Sequence, residues 1–203
     1  MPRLDPLPME ALPDFGELLG GDFKAMAEKV GFVPNSFRTM ARRPEQLKAV
    51  ANLCLVMYST SILPRDLVAM ISQIASFASG CRYCQAHTFD DMQMSGVAAE
   101  KREAIWTFET SSLFTDKEKA ALRVALGGGS APNGVTDADF DDLKSHFSED
   151  EIVEIVGWIS LFGYLNRWND TLATALEDQP KQAALNGLVE QGWEVGKHAS
   201  RQS

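Results

Sequence analysis

Apolar residues recur at helical spacing along almost the whole chain from residue 44 onward. Residues 64–79, for example, begin with Pro64, a residue favoured at helix starts, and then carry a continuous apolar stripe. No segment shows the polar–apolar alternation and hairpin turns that strands would need. The predicted helices cover residues 44–59, 64–79, 81–95, 98–109, 116–126, 137–146, 149–176 and 181–191. The sequence therefore predicts an all-α fold of about eight to ten helices.

Capping signals support several of these helix boundaries. Thr115 is followed three residues later by Glu118, and Ser148 by Glu151, which is the capping-box pattern. The run Gly127–Gly129 lacks the following lysine and hydroxyl residue of a phosphate-binding loop. We therefore interpret these glycines as a helix stop.

The length of 203 residues is enough for one well-buried core. Four prolines fall in residues 1–21, at positions 2, 6, 8 and 13, so this segment cannot be helical throughout. We expect it to be an extended arm that lies across its own domain or across a neighbouring subunit. Residues 22–191 are predicted to form a single domain, and residues 192–203 a C-terminal tail.

Charge and cysteine content exclude several function classes. The formal net charge of −9 argues against binding nucleic acid or an anionic membrane through a basic face. No apolar run is long enough for a membrane span, and the proline-rich start does not resemble a secretory signal. Only three cysteines occur, which favours a reducing compartment over a disulfide scaffold. A cytoplasmic location is expected.

The segment GCRYCQAHT, residues 80–88, contains the candidate catalytic residues, two cysteines and a histidine. Residues three apart on a helix have Cβ atoms roughly 5–6 Å apart, which is close enough for Cys81 and Cys84 to form a reversible disulfide. Because Gly80 ends the preceding helix, the thiols should lie in a first helical turn, where the dipole favours thiolate. At about 100° per residue, His87 lies roughly 60° from Cys84 and roughly 120° from Cys81. We therefore predict Cys84 as the attacking thiol, with a pKa below about 8.5, and Cys81 as the resolving thiol.

Other interpretations of the same residues are open. A CxxC pair can be inert packing, or it can be part of a zinc site with His87 as a third ligand. The candidates for a fourth ligand would be Cys54, His146 and His198, none at finger-like spacing. Cys54 is expected to be a buried apolar residue, and both His146 and His198 are expected to be solvated. A c-type haem site is excluded, because Gln85 stands where that motif needs histidine.

The motifs SFASGCRYCQAHT (76–88) and LFGYLNRWNDTL (161–172) resemble the carboxymuconolactone decarboxylase superfamily, and within it the alkyl hydroperoxidase D-like, peroxidase-related branch. The resemblance covers residues 35–180. It implies a compact all-helical fold, assembly into homo-oligomers such as trimers or hexamers, and a disulfide-cycling hydroperoxidase. In that family the second cysteine attacks the peroxide, the first closes the disulfide and the histidine belongs to a proton relay. These roles fall here on Cys84, Cys81 and His87. The resemblance implies an external dithiol reductant and no metal or other cofactor.

Two positions depart from the best-studied pattern of that family. The histidine follows the second cysteine by three residues instead of four, and a relay glutamate is replaced by Ala69. Asp66 and Gln73, one turn to either side, are the candidate replacements. Asn166 and Asp170 share a helix face, and we interpret them as an internal polar network.

Three functions are therefore considered. The first is a thiol-dependent hydroperoxidase or disulfide reductase with an antioxidant role, acting on a small hydroperoxide with a dithiol donor. The second is a lyase acting on a lactone, as in carboxymuconolactone decarboxylation, which needs acid–base groups instead of a dithiol. The third is a non-catalytic oligomer whose dithiol senses oxidation.

Overall fold

The computed structural model describes residues 1–12 and 31–200, and this part of the chain contains helices and no strand. Its α-helices, numbered in chain order, are α1 (Asn35–Met40), α2 (Pro44–Ser59), α3 (Arg65–Ala78), α4 (Arg82–Met94), α5 (Ala99–Glu103), α6 (Asp116–Gly129), α7 (Asp137–His146), α8 (Glu149–Leu172) and α9 (Asp178–Gly187). Short 3₁₀ turns lie at Met9–Ala11, Ile105–Thr107, Val189–Gln191 and Gly196–His198. The all-α prediction is confirmed. None of the described helices combines the length and apolar character needed to cross a bilayer.

Helix α3 forms the centre of the domain. It packs against α4, α6 and α8, and every residue from position 67 to position 76 is buried. A helix that is covered on all sides belongs to the core and not to the surface. The chain leaves α3 through Gly80, whose φ of +72° is a conformation that glycine adopts without a Cβ penalty. This turn holds the start of α4, which carries both thiols, against the core.

Both predicted capping boxes are present. Thr115 accepts a hydrogen bond from the Glu118 amide, Ser148 accepts one from the Glu151 amide, and each glutamate bonds back to the cap. Each box satisfies amide groups that the first turn of a helix would leave without partners.

The three glycines Gly127–Gly129 form the last turn of α6, which ends at Gly129, so the helix stops at these residues as predicted but three positions beyond Leu126. The glycines also allow close packing. A Cβ atom on Gly129 would lie 2.8 Å from the Ala75 carbonyl oxygen of α3, and one on Gly127 would lie 2.8 Å from the Val135 amide nitrogen. Small residues are needed here because other backbone segments approach the end of α6 closely.

We expect Gly129→Ala to destabilise the fold by about 1–3 kcal/mol, because the new methyl group meets backbone atoms of α3 that cannot move aside. Gly163→Ala in α8 is the matched control, since its nearest neighbour would be Arg167 Nη1 at 3.5 Å, an ordinary contact. That change should be neutral or stabilise by about 0.5–1 kcal/mol, the usual gain from replacing a helical glycine. Urea denaturation measures both, and equal shifts of the two midpoints would contradict the packing argument.

Three other helix boundaries differ from prediction. The predicted helix 98–109 is split at Ala104 into α5 and a 3₁₀ turn. The long helix α8 ends at Leu172 and not near position 176, because Ala173 adopts a left-handed conformation with φ +49°. The last helix, α9, begins earlier than predicted, at Asp178, and ends at Gly187. As a result, residues 173–177 form a non-helical link between α8 and α9.

Both described ends of the chain pack on the helices. The Arg3 amide donates to the Leu172 carbonyl at 2.9 Å, and Arg38 Nε donates to the Leu7 carbonyl at 2.8 Å. The described part of the arm thus contacts its own domain, whereas its remainder, residues 13–21, lies outside the described residues. Near the other end, Trp193 and His198 are buried.

Candidate active site

The two thiols lie at the start of α4. Cys81 is the N-cap of the helix, and its Sγ accepts a hydrogen bond of 3.3 Å from the Cys84 amide. Both side chains are free thiols and are almost fully buried, with Cys81 0% and Cys84 3% exposed. The first turn of α4 therefore brings both sulfur atoms to the end of the helix where amide groups point outward.

The structure does not support the predicted low pKa of Cys84, because this thiol is reduced and buried. Burial raises the pKa of the Cys84 thiol well above its ordinary value, and the hydrogen bond and the charge of Cys81 raise it further. The Asn169 amide, whose Nδ2 lies 3.6 Å from Cys84 Sγ, acts in the opposite direction. The helix dipole is thus outweighed by the loss of solvation.

His87 faces a carboxylate instead of a thiol. Its Nε2 lies 2.8 Å from Glu177 Oε2, and its ring packs on Tyr83 at a centroid distance of 4.4 Å. In the part of the chain that the structure describes, no hydrogen bond joins His87 to either sulfur atom. The role of His87 in a proton relay therefore stays a prediction, but its carboxylate partner is now identified.

Glu177 is a candidate functional residue that is not predicted from the sequence. It lies in the link between α8 and α9, and it accepts hydrogen bonds from the Asn35 amide and, at 2.9 Å, from the Tyr83 hydroxyl. Burial alone would raise the pKa of this carboxyl, but the charge and hydrogen bond of His87 and the backbone amides outweigh burial and hold the pKa below its ordinary value. The site therefore contains an ionised carboxylate against the imidazole of His87.

Neither predicted replacement for the relay glutamate reaches His87. Asp66 Oδ1 accepts from the neighbouring Leu67 amide at 2.8 Å, which makes it a local helix-start contact. Gln73 is buried and accepts from the Thr88 hydroxyl. Ala69 is fully buried in α3. Neither candidate replacement is thus placed to act through His87, and the carboxylate that contacts His87 is that of Glu177, from a distant part of the sequence.

Helix α8 contributes to the site the side-chain amides of Asn166 and Asn169 and the carboxylate of Asp170. Asn166 and Asn169 are buried, and Asn166 Nδ2 lies 3.5 Å from the Ala75 carbonyl oxygen of α3. Asn169 is the residue of this segment whose side chain contacts a thiol. Asn169 lies in the same motif as Asn166 and Asp170 but is not among the residues predicted from the sequence.

A second histidine, His198, lies next to Cys81. The prediction that His198 is solvated is wrong, because its side chain is 0% exposed. Its Nδ1 lies 2.8 Å from the Thr174 carbonyl oxygen, and its Nε2 lies 3.8 Å from Asp170 Oδ1. The Cys81 sulfur and ligand-type atoms of Asp170 and His198 all lie within 4.8 Å of one another.

The alternative interpretation, a zinc site that uses Cys81, Cys84 and His87, finds no support, because these three side chains are not grouped as metal ligands. In residues 1–12 and 31–200, the one group of three metal-ligand side chains is Cys81, Asp170 and His198. The ammonium group of Lys197 lies 2.7 Å from Asp170 Oδ2, and such a cation opposes metal binding by that carboxylate. The other candidate ligands lie elsewhere: Cys54 is buried in α2 with its pKa raised by burial to about 11, and His146 lies 3.8 Å from Asp142.

Two cavities adjoin this region of the domain. One, of about 480 Å³, is lined by Glu177, Asn35 and Phe32, and Phe32 contacts the ring of His87 at a centroid distance of 5.9 Å. The other, of about 790 Å³, lies between the N-terminal segment and α8 and has Arg42, Arg43 and Arg167 among its lining residues. Neither thiol lines either cavity. The smaller cavity therefore contacts the His87–Glu177 pair, through Glu177.

Comparison with known proteins gives structural matches. No protein-family model and no curated protein matches the chain. Among solved structures, the apo debrominase Bmp8 is 30% identical with a TM-score of 0.80, covering 88% of this chain and 94% of that one. A Bmp8 variant with a cysteine changed to alanine, in complex with 2,3,4-tribromopyrrole, is 28% identical with a TM-score of 0.82 over 90% and 95% of the two chains. A peroxidase-related protein from Ralstonia eutropha JMP134, with an alkylhydroperoxidase AhpD core, is 25% identical with a TM-score of 0.74 over 88% and 94%.

Proposed function

We propose that this chain, which belongs to the alkyl hydroperoxidase D-like, peroxidase-related branch of the carboxymuconolactone decarboxylase superfamily, is a dithiol-dependent hydroperoxidase. The observation that supports this most strongly is the pair of buried free thiols in one helical turn, with Cys81 Sγ bonded to the Cys84 amide. Such a pair can close to a disulfide without rearrangement of a second chain segment. Its two electrons would reduce one molecule of substrate per cycle.

The proposed reaction proceeds in balanced steps. The Cys84 thiolate attacks the terminal oxygen of ROOH, the O–O bond breaks, and the leaving alkoxide takes a proton to become ROH. Cys84 is then a sulfenic acid, and the Cys81 sulfur attacks it with loss of water to form the disulfide. A dithiol donor reduces the disulfide and regenerates both thiols. Since burial raises the pKa of Cys84, its deprotonation must be coupled to substrate entry and to proton transfer.

His87 and Glu177 are proposed as the pair that handles the substrate proton. The Glu177 carboxylate lies 2.8 Å from Nε2 of His87 and holds the imidazole in one orientation. Glu177 also lines the 480 Å³ cavity, which gives the pair contact with a space where a small substrate fits. The pair therefore meets the two structural needs of an acid–base group: an orienting partner and access.

A second candidate function is reductive debromination, and the similarity to the debrominase Bmp8 favours it. The same dithiol can supply it: ArBr and two thiols give ArH, bromide, a proton and the disulfide. Both candidates thus use one redox cycle and differ in the bond that is broken. A homo-oligomer, trimer or hexamer, is proposed for either function, and the exposed apolar side chains of Leu53 and Val56 on α2 and Val153 on α8 are consistent with an interface.

The discriminating experiment supplies the reduced full-length protein with dithiothreitol and one substrate at a time. We expect cumene hydroperoxide to be consumed with one alcohol formed per disulfide. Bromide release from 2,3,4-tribromopyrrole without hydroperoxide consumption would replace the first proposal by the second. If neither substrate is reduced while the protein remains folded, the dithiol-reductase proposal is rejected.

A further inference from the structure

We propose that His198, backed by Asp170, accepts the proton of the Cys81 thiol when the disulfide closes. This inference deepens the proposed function, because it assigns a proton acceptor to the resolving thiol. The His87–Glu177 pair and the His198–Asp170 pair would then both adjoin Tyr83, whose ring centroid is 4.4 Å from that of His87 and 5.9 Å from that of His198.

The hydrogen bonding of His198 fixes its tautomer. Its Nδ1 lies 2.8 Å from the Thr174 carbonyl oxygen, and a carbonyl can only accept, so Nδ1 carries a proton. In the neutral ring, Nε2 therefore presents a lone pair. This atom is fully buried and has no hydrogen-bond partner in the described chain, although the Cys81 sulfur lies within 4.8 Å of a ring nitrogen of His198. A buried acceptor without a partner is rare enough to require a reason, and the nearby S–H group supplies one.

The charged groups around His198 favour transfer of a proton to it. Asp170 Oδ1, on α8, lies 3.8 Å from Nε2 and would stabilise the imidazolium as it forms. Lys197 neutralises the other carboxylate oxygen at 2.7 Å, while Cys81 and Tyr83 face the ring from the start of α4. Burial lowers the pKa of His198, so the ring is a free base at neutral pH. Catalytic hydrogen bonds that are long without substrate commonly tighten when it binds.

Asp170 also connects the buried pair to solvent. Its side chain is 38% exposed, whereas those of His198 and Cys81 are 0% exposed. A proton released by Cys81 can pass to His198 and then leave past Asp170. In the closing step, Cys81–SH gives its proton to Nε2, and the sulfur displaces hydroxide from the Cys84 sulfenic acid. The hydroxide takes a proton from solvent to become water, and the proton on His198 returns to solvent past Asp170. The step is balanced and needs no further oxidant or reductant.

The test follows disulfide closure in the full-length protein after rapid mixing, with cumene hydroperoxide and, separately, with the thiol oxidant diamide. Timed quenching with N-ethylmaleimide and mass spectrometry give the closure rate, and dimedone traps the Cys84 sulfenic acid. We expect His198→Gln to slow closure roughly 100-fold, because the ring nitrogen that accepts the proton is removed, and this loss is typical of an acid–base group. Dimedone-trapped Cys84 should rise, because its own oxidation is unaffected.

His146→Gln is the matched control, since His146 also lies 3.8 Å from an aspartate carboxylate but on α7, away from the thiols. It should close at the wild-type rate. Asp170→Asn is a second variant with a half-exposed side chain, and it should slow closure by a smaller factor. It should also lower the pH below which closure slows, because the imidazolium loses its counter-charge and the pKa of His198 falls. If His198→Gln does not fold, the closure rate of Asp170→Asn tests the inference instead.

Closure at the wild-type rate in both His198→Gln and Asp170→Asn would overturn the inference. A stoichiometric metal ion in the purified wild type that is lost in His198→Gln would overturn it as well, because the cluster would then be a metal site. The two oxidants separate this inference from the proposed function. If hydroperoxide leaves the wild type reduced while diamide closes the disulfide in a His198-dependent manner, the hydroperoxidase proposal fails and the role of His198 stands.

Discussion

Replacing Cys84 by serine is expected to abolish hydroperoxide turnover, with a loss of at least about 1,000-fold, as for other catalytic nucleophiles. A serine hydroxyl cannot be oxidised to a sulfenic acid or form a disulfide, so no step of the cycle can begin. The measurement is the initial rate of cumene hydroperoxide consumption with dithiothreitol as donor. Cys81→Ser should behave differently, because Cys84 can still be oxidised once and would accumulate as sulfenic acid.

Cys54→Ala is the control for these cysteine variants. Cys54 is also a buried free thiol, but it lies in α2, and burial raises its pKa to about 11. Removing it should leave turnover unchanged at a modest cost in stability. Turnover that survives the combined Cys81→Ser and Cys84→Ser changes would contradict the dithiol mechanism and would favour lyase chemistry by acid–base groups.

Glu177→Gln is expected to have the second largest effect, because one carboxylate bonds His87, Tyr83 and the Asn35 amide. Glutamine keeps the shape but removes the charge opposite the imidazole. We expect turnover to fall about 100-fold, the contribution typical of an acid–base pair. The free energy of unfolding should fall by about 1.5–3 kcal/mol, the usual worth of a hydrogen bond to a charged group. Steady-state kinetics and urea denaturation measure the two effects.

Glu154→Gln provides a control for the loss of stability. Glu154 also accepts several hydrogen bonds, among them those of the Ile62 amide at 2.9 Å and of Trp158 Nε1 at 3.1 Å. It lies 15 positions before Asn169 on α8, which is about 22 Å along the helix axis. Its replacement should lower stability without lowering turnover. Equal losses of turnover in Glu154→Gln and Glu177→Gln would show that the effect is structural.

The loss of stability caused by Glu177→Gln should also depend on pH. The pKa of this carboxyl is lowered on folding, so its ionised form stabilises the native state at pH values above the unfolded pKa of about 4.3. That contribution is lost as the pH falls through the folded-state pKa. The stability difference between wild type and Glu177→Gln should therefore be large at about pH 6 and shrink at about pH 3. A difference that does not change with pH would contradict the ionised state of Glu177.

The features that the sequence predicted correctly are local ones. The helix α2, the capping boxes at Thr115 and Ser148, and the position of the CxxC at a helix start all depend on residues within one or two turns. Their physical causes are the helical period and the satisfaction of terminal amide groups, and both can be seen in a single sequence.

The parts of the site that the sequence did not predict come from distant segments. Glu177 contacts His87 although the two residues are 90 positions apart in the sequence. His198 lies near Cys81 although it belongs to the segment predicted to be a C-terminal tail. Neither residue stands in a motif, and each is brought to the site by the non-helical link after Ala173 and by the packing of the C-terminal segment. The raised pKa of Cys84 is not predicted for a related reason, because burial by other helices cannot be judged from the thiol's own helix.

Peptide mapping by mass spectrometry, after one equivalent of hydroperoxide is added to the reduced protein, tests the account most directly. We predict that the peptide with Cys81 and Cys84 loses two hydrogen atoms as a new S–S bond forms, while Cys54 still reacts as a free thiol once the protein is denatured. Recovery of both site thiols in reduced form, with the hydroperoxide unconsumed, would contradict the account.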